Sequence, residues 1–321
     1  VAAAFGVIGG GSGQQIEALA TNATIAGGLD NTVHYGARLS TIGGGGNNTI
    51  RTNADYSTIA GGNGNLIETN ADWATISGGF QNKIQTNSFN ATIAGGANNS
   101  IGMNASTATI GGGMNNLIWT NADYATIAGG SGNEVRTNSF ESTVSGGGQN
   151  TIEGFSGNST LGGGKQNTIG TSSPYSTLGG GFANTINDGS DYATIPGGRQ
   201  NVATNYAFAS GYRAQATNTG AFVWSDSNGT TTASTNNNSV TMRASGGYRL
   251  LTGTTNVGVS LAANGTSWST ISDRDAKKNF APVNGVNVLD KLSLVPVQSW
   301  NYKWEADGTV PHLGPIAQEF K

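Results

Sequence analysis

Four aspartates occupy the same place in a repeated segment of the chain and could hold a cation. Asp55, Asp72, Asp123 and Asp191 each lie four residues before an aliphatic residue, and the first two are seventeen residues apart. Ca²⁺ prefers oxygen ligands, so a stacked column of carboxylates is a candidate calcium site. Aspartate also begins turns at solvated edges, and we favour this second interpretation. We therefore expect no metal and no cofactor.

The same aspartates raise the question of glycoside hydrolysis. That reaction needs two carboxylates roughly 5–10 Å apart in a groove. Asp55 and Asp72 could meet the distance, but a regularly repeated column is more typical of an exposed surface. His34 and His312 are the chain's two histidines and lie in unrelated regions. A histidine metal centre or a Ser-His-Asp triad is therefore not expected.

A column of threonines is a further candidate surface. Thr24, Thr41, Thr58 and Thr75 recur at the same interval. A flat array of hydroxyl groups is one way to bind ice, but threonine is also simply well suited to exposed β-strands. We favour the second interpretation.

The composition excludes several classes of protein. Glycine occurs 52 times among 321 residues, charged residues make up 10%, and the net charge is −3. So few basic residues give no electrostatic attraction to nucleic acid or anionic lipid. The chain has no run of 18 apolar residues, so the sequence predicts no membrane span. The absence of cysteine excludes disulfides and is compatible with an exported protein.

These residues belong to a seventeen-residue repeat. The segment TIAGGNGNLIETNADWATISGG, Thr58–Gly79, contains Thr-Ile-x-Gly-Gly twice at that interval. Two glycines follow the aliphatic residue in all twelve copies, and its sixth successor is Asn in eleven. The aliphatic residues are Ile8, Ile25, Ile42, Ile59, Ile76, Ile93, Ile110, Ile127, Val144, Leu161, Leu178 and Ile195. A second series with the same step is Ile16, Val33, Ile50, Ile67, Ile84, Ile101, Ile118, Val135, Ile152, Ile169 and Ile186.

Each repeat fits one coil of a parallel β-solenoid. Two short strands per repeat each place one aliphatic residue inward and polar or small residues outward. The Gly-Gly-x-x-Asn phrase supplies a corner, because glycine and asparagine tolerate left-handed backbone conformations. Successive coils would pair in parallel and stack like residues on like. Twelve coils at about 4.8 Å give a length of roughly 55–60 Å.

Two aliphatic residues per coil are few for a core, and this predicts a homotrimer. We expect three chains, each contributing one thin coil to a shared apolar centre. Recurring aromatic or leucine residues could pack between the chains: Leu39, Tyr56, Trp73, Tyr124, Tyr175 and Tyr192, with Phe89 and Phe140 shifted by one position.

The array also resembles a known family. Its repeated small-x-Ile/Val-Gly phrases are similar to the heads of YadA-type trimeric autotransporter adhesins, and Tyr206–Asp226 (YAFASGYRAQATNTGAFVWSD) resembles their fourteen-residue repeat. The resemblance implies a left-handed parallel β-roll assembled as a trimer. The spacing of seventeen exceeds that of the family by three residues.

The composition changes after the repeats and predicts further domains. The runs VTMRA, YRLL and VGVSL are typical of strands and indicate a small β neck. The segment NVLDKLSLVPVQSWNYKW predicts a short helix ending near Pro296 and then a strand. We divide the chain into solenoid repeats (1–203), shorter repeats (204–226), the neck (227–271) and a C-terminal segment (272–321).

Three phrases stand out in the C-terminal segment: Ser272-Asp273 with Lys277, the segment from Leu289 to Val297 leading into WNYK, and HLGPIAQEF. With these phrases the segment resembles the intramolecular chaperone auto-processing domain of phage tailspikes and tail fibres. The resemblance implies that the segment aids trimerisation and then cuts the Ile271–Ser272 bond. In that scheme Ser272 is the nucleophile and Lys277 is the general base, because a hydroxyl attacks once a nearby amine accepts its proton.

Three functions remain open from the sequence. The favoured one is a homotrimeric, extracellular, cell-surface or virion-borne fibre that mediates attachment, with a cell-surface glycan or receptor as a partner and self-cleavage as its one enzymatic step. The alternatives are a polysaccharide-degrading tailspike enzyme and a monomeric ice-binding solenoid. An acidic groove would favour the enzyme, and a monomer mass would favour the ice-binding protein.

Overall fold

A computed structural model describes residues 3–253, 257–271, 277–306, 308 and 310–316 of the chain. The chain divides into two compact units, Val1–Gly246 and Gly247–Lys321. The two units are described in turn.

The first unit is a parallel β-solenoid in which each coil gives one short strand to each of two sheets. The strands of the first sheet are Val7–Ile8, Thr24–Ile25, Thr41–Ile42, Thr58–Ile59, Thr75–Ile76, Thr92–Ile93, Thr109–Ile110, Thr126–Ile127, Thr143–Val144, Thr160–Leu161, Thr177–Leu178, Thr194–Ile195, Gly198–Arg199, Phe208–Tyr212, Phe222–Ser225 and Val240–Arg243. Those of the second sheet are Gln15–Ile16, Thr32–Val33, Thr49–Ile50, Leu66–Ile67, Lys83–Ile84, Ser100–Ile101, Leu117–Ile118, Glu134–Val135, Thr151–Ile152, Thr168–Ile169, Thr185–Ile186, Val202–Ala203, Ala214–Ala216 and Thr232–Ala233.

The register of the sheets explains the repeat length. Thr58 pairs with Thr75 and Ile59 with Ile76, so identical positions stack along the solenoid. The isoleucines are fully buried and the threonines partly exposed. The all-β parallel solenoid that the seventeen-residue repeat predicted is therefore confirmed.

Corners of the coil form where the backbone enters the left-handed region. In the coil of Ile59 these positions are Gly62, Gly64, Asn70 and Trp73, with φ between 54° and 88°. A Cβ atom on Gly62 would also overlap the carbonyl oxygen of Gly79 in the next coil. The second glycine of each pair is thus required by both conformation and close approach.

The core closes within a single chain, which corrects one sequence expectation. In the coil of Ile59, that residue, Asn65, Ile67, Ala71 and Ala74 are all fully buried. Two small inward positions, occupied by alanine or serine in successive coils, complete the interior. The expected apolar centre shared among three chains is wrong, because the aliphatic residues are already covered by their own coil.

A buried asparagine column ties each coil to the next. Asn48 donates from Nδ2 to the carbonyl oxygens of Gly44 and Gly62, each at 3.0 Å. Its Oδ1 accepts the backbone N–H of Asn65 at 3.0 Å. The column satisfies corner carbonyls that would otherwise be buried without a partner.

The solenoid continues beyond the seventeen-residue repeats. Phe208–Tyr212 pairs with Phe222–Ser225, and the Phe208 and Phe222 rings stack at 4.7 Å. Phe222–Ser225 in turn pairs in parallel with Val240–Arg243. The run VTMRA, grouped with the neck from its sequence, therefore extends the first sheet.

The second unit contains short antiparallel sheets and one helix within the described residues. Gly247–Leu251 pairs with Gly258–Ala262, which pairs with Ser269–Thr270. The helix, Gly285–Ser293, begins after Asn284, whose side chain accepts the N–H groups of Val286 and Asn287. Gln298–Trp300 then pairs with His312–Gly314. The helix followed by a strand agrees with the sequence prediction.

Candidate functional site

The proposed self-cleavage pair lies at the start of the C-terminal segment. Lys277 is exposed to solvent in the single chain, and Ser272 lies outside the described residues. The single chain therefore does not supply the burial that would make a lysine a base at neutral pH. The Ser272–Lys277 pair stays a prediction.

The helix that follows has an uncovered apolar side. None of its residues is buried, and Leu289 is 65% exposed. The other exposed apolar residues of the helix and the chain just after it are Val286, Val288, Leu292, Leu294 and Val297. Amphipathic helices are normally stabilised by packing of the apolar face, so this segment lacks that packing in the single chain.

An aromatic cluster surrounds Glu305 in the hairpin beyond the helix. Trp300 stacks on His312 at 4.7 Å and meets Tyr302 edge-on at 4.8 Å. Glu305 lies 2.8 Å from His312 Nε2 and accepts the N–H of Tyr302 at 2.8 Å. These bonds, led by that to His312, hold the pKa of Glu305 below its usual value. The cluster orders the hairpin and brings no nucleophile to a base.

The aspartate column serves the backbone of the solenoid. Asp55 accepts the N–H of Arg38 at 2.8 Å and is bridged by its guanidinium, while Asp72 accepts the N–H of Asp55 at 3.0 Å. Burial is the leading cause that raises the pKa of Asp72. Among the described residues, no group of three or more His, Asp or Glu side chains is placed to hold a metal ion.

The aromatic column predicted from the sequence lies exposed along one corner of the solenoid. Tyr56 and Trp73 stack at 5.3 Å, and Tyr192 stacks on both Tyr175 and Tyr206 at 5.1 and 5.3 Å. All five residues have φ between 54° and 58°. Bulky side chains are disfavoured in this conformation, so the backbone alone does not explain the aromatic choice.

The structure shows a β-solenoid and, in the second unit, a helix with uncovered apolar residues. Residues 272–321, the last 50 of the chain, match the family described as chaperone of endosialidase. No curated protein matches the chain. The match supports the chaperone-like expectation, whereas the likeness to YadA-type heads stays a prediction. Within the described residues, no helix has the length and apolar character needed to cross a bilayer.

Sequence reasoning missed a group of residues that lie just after strands of the second sheet. Trp119, Gly154 and Phe155 line one shallow groove in the structure. Gly154 replaces the threonine that is common at its position of the repeat, and Phe155 replaces the asparagine that is common at its position. Aligning the repeats and comparing the residues at each position would have found them.

Proposed function

We propose that the protein is a tail-fibre-like homotrimer that mediates attachment to a surface. It is extracellular and is carried on a cell surface or on a virion. Its C-terminal segment acts as an intramolecular chaperone that brings three chains together. The observation that carries this proposal is the uncovered apolar helix within the segment that matches the chaperone of endosialidase.

Association of chains would relieve the exposure of that helix. Leu289 and Leu292 are 65% and 56% exposed, although each leucine gains about 1.5–3 kcal/mol when fully buried. Three copies meeting along these side chains would cover them. The solenoid, with its own closed core, would then need the segment for assembly rather than for folding.

The aromatic column offers a second contact between chains. Trp73 is 53% exposed at a corner with φ of 54°, and it stacks on Tyr56. Asn90 occupies the equivalent corner in the next coil, with φ of 56°. An interface explains why aromatic residues replace the favoured asparagine.

A substitution on the helix tests the chaperone role. Leu289→Asn removes an apolar side chain from the uncovered face, and we expect the trimer to be lost while the solenoid keeps its β-sheet circular dichroism. Asn287→Ser is the control on the same helix and keeps the trimer. Analytical ultracentrifugation measures both. A Leu289→Asn protein that remains as trimeric as the wild type contradicts the role given to the helix.

Self-cleavage is the one enzymatic step in this proposal. Burial of Lys277 on assembly would let its amine accept the proton of Ser272, whose oxygen then attacks the carbonyl carbon of Ile271. The Ile271–Ser272 amide bond breaks, and the Ser272 nitrogen takes up the proton and leaves as a free amine. Water then hydrolyses the ester between Ile271 and the Ser272 oxygen. Mass spectrometry of the natural full-length protein should show a break at Ile271–Ser272. Ser272→Ala and Lys277→Ala should each leave an uncut trimer. An intact bond in the wild type would leave a chaperone without protease activity.

Among the described residues, neither the aspartate pair nor the threonine column supports the two alternative functions. Asp55 is bound by Arg38, and Asp72 by the backbone of Asp55, so this carboxylate pair is engaged in structure. The threonine column is a regular, partly exposed strand surface. A cell-surface glycan or receptor stays the proposed target of attachment.

A further inference from the structure

A shallow groove lies on the second-sheet side of the solenoid, across four successive coils. It is lined by Trp119, Arg136, Thr137, Gly154, Phe155 and Thr171 and has a volume of about 380 Å³. We call it the Trp119–Phe155 groove. A second depression of about 430 Å³ adjoins it at Thr171 and includes Glu153, Gly170 and Asp188. Together they form a long shallow surface.

The groove forms where residues differ from those at the same position in neighbouring repeats; we call such a set of equivalent residues a column. Thr120, Thr137 and Thr171 occupy the column in which Gly154 lies, so the missing side chain opens the floor. Asn121 and Asn138 precede Phe155 in its column. A regular solenoid needs neither exception.

Phe155 is held in a position that disfavours it. Its φ is 60° and its side chain is 60% exposed. Asparagine tolerates this conformation better than a bulky aromatic residue does. Exposed aromatic residues in a disfavoured backbone conformation are typical of binding sites, where the strain is offset by function.

The groove presents flat apolar surfaces with polar groups between them. Trp119 and Phe155 lie two coils apart, which places their backbones about 10 Å apart along the solenoid. Between them, the Arg136 guanidinium donates to Glu134 at 3.0 Å and to Glu153 at 2.9 Å. These bonds fix its position. Aromatic rings pack against the C–H faces of sugar rings, and fixed polar groups bind hydroxyls.

The charges around the groove select against an acidic ligand. Glu134, Glu153 and Asp188 supply three carboxylates against the one guanidinium of Arg136. A negatively charged sugar would be repelled by the excess negative charge. The shallow open shape suits an extended chain rather than an enclosed small molecule.

We propose that the Trp119–Phe155 groove binds a segment of a neutral oligosaccharide, stacked on the rings of Trp119 and Phe155. This inference deepens the proposed function, since it rests on the protein attaching to a surface and names the class of target. The site belongs to each chain and does not require the trimer.

The test uses the full chain and an immobilised panel of neutral gluco-, manno-, galacto- and N-acetylglucosamine oligosaccharides, with sialylated oligosaccharides as the acidic probes. The tightest ligand is then titrated by calorimetry. Phe155→Asn and Gly154→Thr restore residue types that are common at their positions of the repeat. A Cβ on Gly154 would lie 3.2 Å from the carbonyl oxygen of Thr137, which a small local shift accommodates, so both variants should fold. We expect each to weaken binding by at least about tenfold. Phe155→Asn should also raise the melting temperature, because it relieves the disfavoured backbone conformation.

Phe80→Asn is the matched control, because Phe80 is an exposed aromatic residue outside the groove and Asn63 precedes it in its column. Its affinity should stay within about twofold of the wild type. The proposal is overturned if no neutral oligosaccharide binds, if acidic ones alone bind, or if Phe155→Asn and Gly154→Thr bind as the wild type does. A trimer that fails to bind sugar refutes this site alone, and a monomer that binds sugar refutes the trimer alone.

Discussion

At the scale of single residues, the solenoid depends on a few positions that cannot vary. The side chain of the buried Asn116 donates to the carbonyl oxygens of Gly112 and Gly130 and accepts the N–H of Asn133. The second glycine of each pair allows the next coil to approach. These residues act on the backbone, so their effect repeats in every coil.

The two glycines of a pair should differ sharply in their tolerance of alanine. Gly113 has φ of 89°, and a Cβ there would overlap the carbonyl oxygen of Gly130. Gly129, the first glycine of its own pair, has open space around a Cβ. We expect Gly113→Ala to lower the free energy of unfolding by about 2 kcal/mol or more, and Gly129→Ala to change it by less than about 1 kcal/mol. Equal effects in thermal denaturation would contradict the close approach.

Removal of one buried asparagine should be costly. Asn116→Ala leaves two carbonyl oxygens and one N–H without their partner, each worth about 1–3 kcal/mol when buried. Asn121→Gly is the control in the same coil, since Asn121 belongs to an exposed ladder and has φ of 56°, which glycine adopts freely. Hydrogen exchange should show that Asn116→Ala loses protection of the backbone amides around that position and that Asn121→Gly does not. Similar protection in both variants would mean that the buried column is not needed.

At the scale of strands and coils, the sequence predicts the repeat well and the closure of the core poorly. The aliphatic periodicity and the glycine pairs report strands and corners directly. Alanine and serine, as at Ala71 and Ala74, carry no comparable hydrophobic signal, so their burial was not foreseen. In the sequence, Gly154 and Phe155 are irregularities of the repeat with no evident meaning. The structure shows that they lie together in one groove. Ser272 lies outside the described residues, so the Ser272–Lys277 pair stays a prediction.

The last coil of the solenoid should loosen in acid. Asp226 accepts the N–H of Ser245 at 2.6 Å, the N–H of Asn228 at 3.1 Å and the Nε–H of Arg243 at 3.1 Å. These bonds, led by those to Ser245, hold the pKa of Asp226 well below its ordinary value. A carboxyl with a lowered pKa in the folded state stabilises that state above the unfolded pKa of about 3.9, and the contribution is lost as the pH falls further.

Hydrogen exchange of the amide of Ser245 measures this effect. In the wild type the protection should fall as the pH is lowered below about 4, after correction for the intrinsic exchange rate. Asp226→Asn keeps one acceptor oxygen but does not titrate, so its protection should be weaker and independent of pH. A pH dependence that persists in this variant would assign the effect to another group.

At the scale of the whole molecule, burial of the solenoid core and assembly of a trimer are separate questions. The sequence predicts a trimer because two aliphatic residues per coil are few for a core, yet Ile59 and its neighbours are fully buried in one chain. The exposed Leu289 and Leu292 of the C-terminal segment and the exposed aromatic column are the features that support the proposed assembly. The proposed trimer would therefore form through exposed surface residues and not through a shared apolar interior.

Light scattering coupled to size-exclusion chromatography tests this account most directly. The uncut chain has a mass of 32.5 kDa, and the account predicts for the Ser272→Ala variant, which cannot cut itself, a single species of about three times that mass that persists on dilution. A folded, stable species with the mass of one chain, and with the β-sheet circular dichroism of the solenoid, would contradict the proposal that the protein is a trimeric fibre.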